Sequence, residues 1–163
     1  MAVIKKSIYI ERAPDKVFNY LIDVEKHVEW SGELSFGLES IEKITPGTLK
    51  PGSTFKSRGQ LSSRAGVEDT STVTEMELNH RLAWDTVSEG PGRTNNFRWV
   101  YTLEPQGRGT RLTYSLEARH FNPKPFQLWF PPLLWIVDHK VFGREMEGGL
   151  NKLKEALEKQ EQL

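Results

Sequence analysis

The sequence predicts an α+β fold in which an antiparallel sheet packs against a long C-terminal helix. Two observations lead there. From Leu38 to about His120, Gly, Pro and Asn recur at short intervals around segments rich in Thr, Val, Phe, Trp and Tyr, the composition of strands joined by turns. After a proline cluster at 123, 125, 131 and 132, residues His139, Phe142, Met146, Leu150, Leu153 and Leu157 follow helical spacing, with Lys140, Arg144, Glu147, Lys154 and Glu158 on the opposite side.

The elements follow in order. Val3 to Ile10 reads as a strand, with Ile4, Ile8 and Ile10 in one alternating frame. Pro14 suits the first turn of a helix, and Val17, Phe18, Leu21 and Ile22 recur at spacings of three and four. A second short helix carries Val24, Val28 and Trp30. Six strands are then expected at Leu38–Ile44, Ser53–Leu61, Glu68–Leu78, Leu82–Ser88, Asn96–Glu104 and Thr110–His120, joined as a meander. In the last hairpin Phe97, Trp99, Tyr101 and Leu103 share one face, and Leu112, Tyr114, Leu116 and Ala118 share its counterpart, because side chains alternate with period two. Arg58, Glu75, Asp85 and Arg98 fall in the opposite frames and are expected to face solvent, an assignment that a one-residue bulge reverses. Gly148-Gly149 lies inside the last helix, where each glycine costs about 1 kcal/mol relative to alanine. A close approach of helix to sheet offsets that cost; a local kink is the alternative.

Composition narrows the function. The 163 residues are 37% hydrophobic, enough for a core, and suit one domain spanning 1–163 at roughly 100–200 residues per domain. Lys plus Arg equals Asp plus Glu at 22 each, so no net positive field favours nucleic acid as a partner. With no cysteine, disulfide scaffolds, thiolate zinc sites and cysteine nucleophiles are excluded. The N-terminal charges at Lys5, Lys6, Glu11 and Arg12 leave no apolar signal stretch, so a cytoplasmic location is expected. The longest apolar run, Leu128 to Val137, is far shorter than the roughly 20 residues of a spanning helix and is interrupted by Pro131-Pro132. No transmembrane segment is expected, although transient membrane contact fits.

Several local stretches carry a family resemblance: Ile8-Tyr9-Ile10-Glu11-Arg12-Ala13-Pro14-Asp15-Lys16-Val17-Phe18-Asn19-Tyr20-Leu21-Ile22-Asp23, then Glu29-Trp30, Pro51-Gly52-Ser53-Thr54-Phe55 and Gly109-Thr110-Arg111-Leu112-Thr113. In this order the chain resembles the START-like or SRPBCC superfamily, in particular the polyketide cyclase/dehydrase and lipid-transport type, related in fold to the Bet v 1 proteins. The resemblance implies a helix-grip fold: a curved seven-stranded antiparallel sheet around the C-terminal helix, two short helices after the first strand, and an elongated cavity inside. Superfamily functions range from lipid carriers to aromatase/cyclases, and a fold does not fix a chemistry. Ser62-Ser63-Arg64-Ala65-Gly66 replaces the glycine-rich loop of the plant pathogenesis-related branch, and no iron-binding triad is visible.

Chemistry-bearing motifs are few. No His-x-His or His-Glu-x-x-His spacing occurs, so neither a metal nor another cofactor is expected. Gly90-Pro91-Gly92 and Gly107-Arg108-Gly109 lie between strands and read as turns, and no Gly-x-Ser-x-Gly elbow supports a hydrolase. His27, His80 and His120 are expected at the surface, whereas His139 sits on the inner stripe of the last helix and either faces ligand or is a buried, hydrogen-bonded core residue.

The aromatic residues point to a pocket. Trp84, Trp99, Tyr101, Tyr114, Leu116, Phe126, Trp129, Trp135, His139 and Phe142 are the expected ligand-binding residues, since cavities are lined by such side chains with a few polar groups among them. The alternative is that they fill the core. Phe121 to Phe142 is apolar enough to act as a lid, and residues 121–137 offer a docking surface for a membrane, another protein or a second copy; simple core packing of the segment is the alternative. The expected function is binding or transport of a hydrophobic small molecule, a lipid, polyketide-like aromatic or quinone, by a monomer or weak homodimer. The alternative is an aromatase/cyclase or dehydratase in which His139 or Tyr114 shuttles a proton. A protein-interaction module using 121–137 is the third reading.

Overall fold

The structure is a computed structural model that describes residues 2–31, 38–59, 66–122, 140 and 142–159. Strand β1 (Ala2–Ile10) leads into helix α1 (Pro14–Ile22), a 3-10 turn (Val24–Lys26) and helix α2 (His27–Ser31). Strands β2 (Leu38–Lys43), β3 (Thr54–Gly59), β4 (Glu68–Glu77), β5 (Arg81–Gly90), β6 (Arg93–Gln106) and β7 (Gly109–Asn122) follow, and helix α3 (Gly143–Lys159) closes the described chain. Each expected strand is present, with ends shifted by a few residues.

All pairings are antiparallel, in the order β1-β7-β6-β5-β4-β3-β2. The meander runs from β2 to β7, and β1 returns to pair with β7, so the two edges of the sheet belong to β1 and β2. Three register shifts interrupt the ladders, between Leu38 and Ser40, Val73 and Glu75, and Asn96 and Phe97. Bulges bend strands and increase their twist, which curves the sheet around its contents.

The hairpin brings the two expected faces together: Phe97 pairs with Ala118, Trp99 with Leu116, Tyr101 with Tyr114 and Leu103 with Leu112. The β4 bulge decides one side chain. Glu75 faces outward as expected, opposite Ala83, although it lies two residues from the inner Val73, because the register shifts between Val73 and Glu75. There its carboxylate pairs with Arg98 and, at 2.6 Å, with Arg81, while Arg98 also holds Asp85 at 2.9 Å. Arg98 is on the outer face as expected, yet its side chain is only 11% exposed because these partners cover it.

Helix α3 buries Met146, Leu150, Leu153 and Leu157, the predicted stripe, with Gly149. It packs against β1 and α2. Lys6 of β1 reaches Glu147 at 3.4 Å, and Lys154 donates to the carbonyl of Tyr9 at 2.8 Å. Arg12 completes the far end, donating from Nε to the carbonyl of Leu157 at 3.0 Å and from an Nη to that of Glu158 at 2.7 Å. The last carbonyls of a helix have no partner within it and carry the negative end of its dipole, so the guanidinium satisfies both needs. The tight β6–β7 turn places Gly107 at φ 58°, and a Cβ on Gly109 would lie 2.3 Å from the carbonyl of Ile10, so only glycine fits where β1 ends.

Candidate functional site

Between the inner face of the sheet and α2 and α3 lies a cavity of about 270 Å³. Its sheet wall follows from the register. One row across the strands runs Val73, Trp84, Trp99, Leu116; the next places Leu82, Tyr101 and Tyr114 side by side; another places Phe55, Ser71, Thr86 and Phe97. Neighbouring rings therefore touch. Tyr101 and Tyr114 stack at 4.4 Å between centroids and 6° between planes, Trp99 stacks on Tyr114 at 5.7 Å, and Phe55 meets Trp84 edge-on at 5.4 Å. Burial pushes both tyrosine phenols well up from their ordinary value. They keep their protons across the physiological range.

The opposite wall comes from α2 and α3. Trp30 stands edge-on to Tyr114 at 6.3 Å, and Phe142, Glu145, Met146 and Gly149 supply the α3 side. Gly149 borders the cavity, so its missing side chain leaves room for contents.

His27 corrects the expectation of a surface histidine. It is 3% exposed, lines the cavity, and packs against Trp30, Trp84 and Tyr101 at 5.0, 5.7 and 6.1 Å. Its Nε2 lies 2.8 Å from the carbonyl of Leu21. A carbonyl only accepts, so Nε2 carries the proton. Desolvation by burial lowers its pKa to about 4, against the weaker pull of the Leu21 carbonyl and Asp23. The ring is neutral at pH 7. The short helical segment shows no period that marks an inner face, and the chain enters α2 through a 3-10 turn. With three residues per turn, the buried set is Val24, His27 and Trp30.

Polar groups sit toward β3, β4 and β5. Ser57, Asp69, Ser71 and Thr86 line the cavity, and Ser71 and Thr86 hydrogen-bond at 2.8 Å. Burial pushes the Asp69 carboxyl up, opposed by a hydrogen bond from Ser88 and reinforced by the charge of Glu68. Asp69 belongs to the inner frame of β4 with Ser71 and Val73, and Glu145 stands one helical turn before Gly149. Both were legible from spacing once the inner faces were known.

Of the sequence-predicted residues, Trp84, Trp99, Tyr101, Tyr114, Leu116 and Phe142 all border this cavity. Phe126, Trp129, Trp135 and His139 lie outside the described residues, as does all of the 121–137 segment except 121 and 122. His80 is exposed beside Glu77, as expected. Among the described residues, no helix is long and apolar enough to cross a membrane.

A curved antiparallel sheet closed over an apolar cavity by a C-terminal helix is the helix-grip, Bet v 1-like architecture. The sequence profile of one family within it, described as polyketide cyclase/dehydrase and lipid transport, matches residues 1–158, and the chain belongs to that family. Similar solved structures include a conserved protein from Geobacillus kaustophilus, 18% identical with a TM-score of 0.70 over 97% of this chain and 96% of that one. Mll3558 from Rhizobium loti is 18% identical with a TM-score of 0.66 over 94% of each chain. Ara h 8.0201 is 12% identical with a TM-score of 0.66 over 96% of this chain and 97% of that one. At these identities the likeness is one of fold. No curated protein matches the chain.

Proposed function

We propose that this protein binds and carries a hydrophobic small molecule in the cavity between sheet and α3, within the cytoplasm. The observation that supports this best is the continuous aromatic wall of Phe55, Trp84, Tyr101, Tyr114 and Trp99 around unfilled space. Transfer of apolar ligand surface from water contributes about 2.5 kcal/mol per 100 Å², and aromatic walls add geometric preference for flat rings. A volume of about 270 Å³ stands just below the ~300–1,000 Å³ usual for ligand pockets, which favours a compact ring system. In this reading Trp84, Trp99, Tyr101, Tyr114, Leu116 and Phe142, joined by His27 and Trp30, form the binding residues.

Native mass spectrometry of the purified protein, compared with its denatured mass, tests the proposal, alongside titration with the neutral dye Nile red. A stoichiometric apolar passenger, or Nile red binding that weakens in Trp99→Ala, is the expected result. An empty protein that leaves Nile red fluorescence unchanged overturns it.

A cyclase or dehydratase is the second reading. It is favoured by two carboxyl groups, Asp69 and Glu145, bordering the same cavity, one of them held toward its protonated form by burial. Tyr114 serves it as a proton donor only, since its phenol is pushed up, and His27 is a weak base whose Nε2 proton is already given to Leu21. Turnover of a poly-β-ketone thioester, lost in Asp69→Asn, replaces the carrier reading with this one.

A further inference from the structure

Two residues that line the cavity each carry a buried polar atom with no hydrogen-bond partner among the described residues: Nε1 of Trp30 and Oε2 of Glu145. Trp30 is only 3% exposed, so its N–H is withdrawn from bulk water. The two belong to elements that pack on each other, α2 and α3. Buried polar groups in folded proteins are almost always paired, and an unpaired one calls for an explanation. Here the two atoms are complementary in kind. An indole N–H only donates, and an ionised carboxylate only accepts.

The pair selects among ligand groups. A carbonyl or ether oxygen accepts from Trp30 and leaves Glu145 unmet. An ammonium donates to Glu145 and leaves Trp30 unmet. A carboxylate offers no proton to the Glu145 oxygen, and so leaves it unmet. A hydroxyl alone accepts and donates through one oxygen, so it satisfies both atoms at once.

We propose that the α2–α3 side of the cavity is a hydroxyl subsite, and that the ligand is a compact neutral phenol or alcohol whose oxygen bridges Trp30 Nε1 and Glu145 Oε2. This rests on the carrier reading and names its ligand class. The aromatic rows of the sheet hold the ring system, and the α2–α3 pair fixes its orientation. Bonds to a charged group discriminate more strongly than neutral ones, so Glu145 is the principal determinant and Trp30 the second.

Dissociation constants of 2-naphthol, 2-methylnaphthalene and 2-(aminomethyl)naphthalene, measured by ligand-observed NMR, test it. The three share a ring system and differ in the group presented. The unmodified protein is expected to bind 2-naphthol about tenfold or more tightly than 2-methylnaphthalene, as a hydrogen bond to a charged group implies. Glu145→Leu is expected to bring that ratio close to one while 2-methylnaphthalene still binds, which also shows that the variant folds. Trp30→Phe keeps a ring and loses the N–H, and is expected to narrow the ratio in part. Equal binding of 2-naphthol and 2-methylnaphthalene by the unmodified protein overturns the subsite and leaves the carrier intact. So does an undiminished ratio in Glu145→Leu, or a preference for the amine, which assigns the site to a cation. Binding of none of the three overturns the cavity reading and this one with it.

Discussion

His27 makes stability depend on pH in a direction that can be computed. Its ordinary pKa is 6.5 and its folded value about 4. Between those values the unfolded chain binds a proton that the folded chain refuses, so stability is complete above about pH 6.5 and falls as pH drops toward 4. At 1.36 kcal/mol per pH unit, the loss approaches about 3 kcal/mol below pH 4 and is about 2 kcal/mol at pH 5. His27→Gln removes the titration and keeps an amide N–H for the Leu21 carbonyl. Urea unfolding followed by circular dichroism at pH 7.5 and pH 5 measures both proteins. The carboxylates held low by Lys or Arg partners, Glu68, Glu75 and Glu158, lose stability mainly at lower pH and do so in both proteins. The unmodified protein is expected to lose about 2 kcal/mol more than His27→Gln over this interval. Parallel losses would refute the claim that His27 is folded neutral inside the cavity wall.

Two further outcomes follow from the ends of elements. Arg12→Ala strips two carbonyls at the α3 C-terminus of their donor and is expected to cost about 1–2 kcal/mol in thermal unfolding; Arg108→Ala, at a side chain 89% exposed, leaves the midpoint in place. Gly109→Ala drives a Cβ into the Ile10 carbonyl and is expected to destabilise by about 1–3 kcal/mol or more, read as a lowered urea midpoint.

Most of the fold was readable because its signals are local. Alternation along β6 and β7 requires only that successive side chains point to opposite faces, so the shared face of Phe97, Trp99, Tyr101 and Leu103 and that of Leu112, Tyr114, Leu116 and Ala118 are legible without the pairing, which the structure supplies. The stripe Met146, Leu150, Leu153 and Leu157 is legible in the same way for α3. Part of the site came with these faces: the cavity-lining rings are inner-frame residues of strands whose frames were already set. His27 was not readable in this way. A five-residue helix is too short to establish a period, and a three-residue 3-10 turn precedes it.

The sequence by itself determined which segments become strands and helices, their order, and which strand faces are aromatic, since period and turn chemistry act over a few residues. Tertiary structure alone decided the rest. It placed a bulge in β4 between Val73 and Glu75, brought His27 against Trp84 and Tyr101, and set Trp30 and Glu145 in the lining of one cavity. These are relations between residues far apart in the chain, fixed by how a curved sheet closes over a helix, and no local pattern encodes the space left between them.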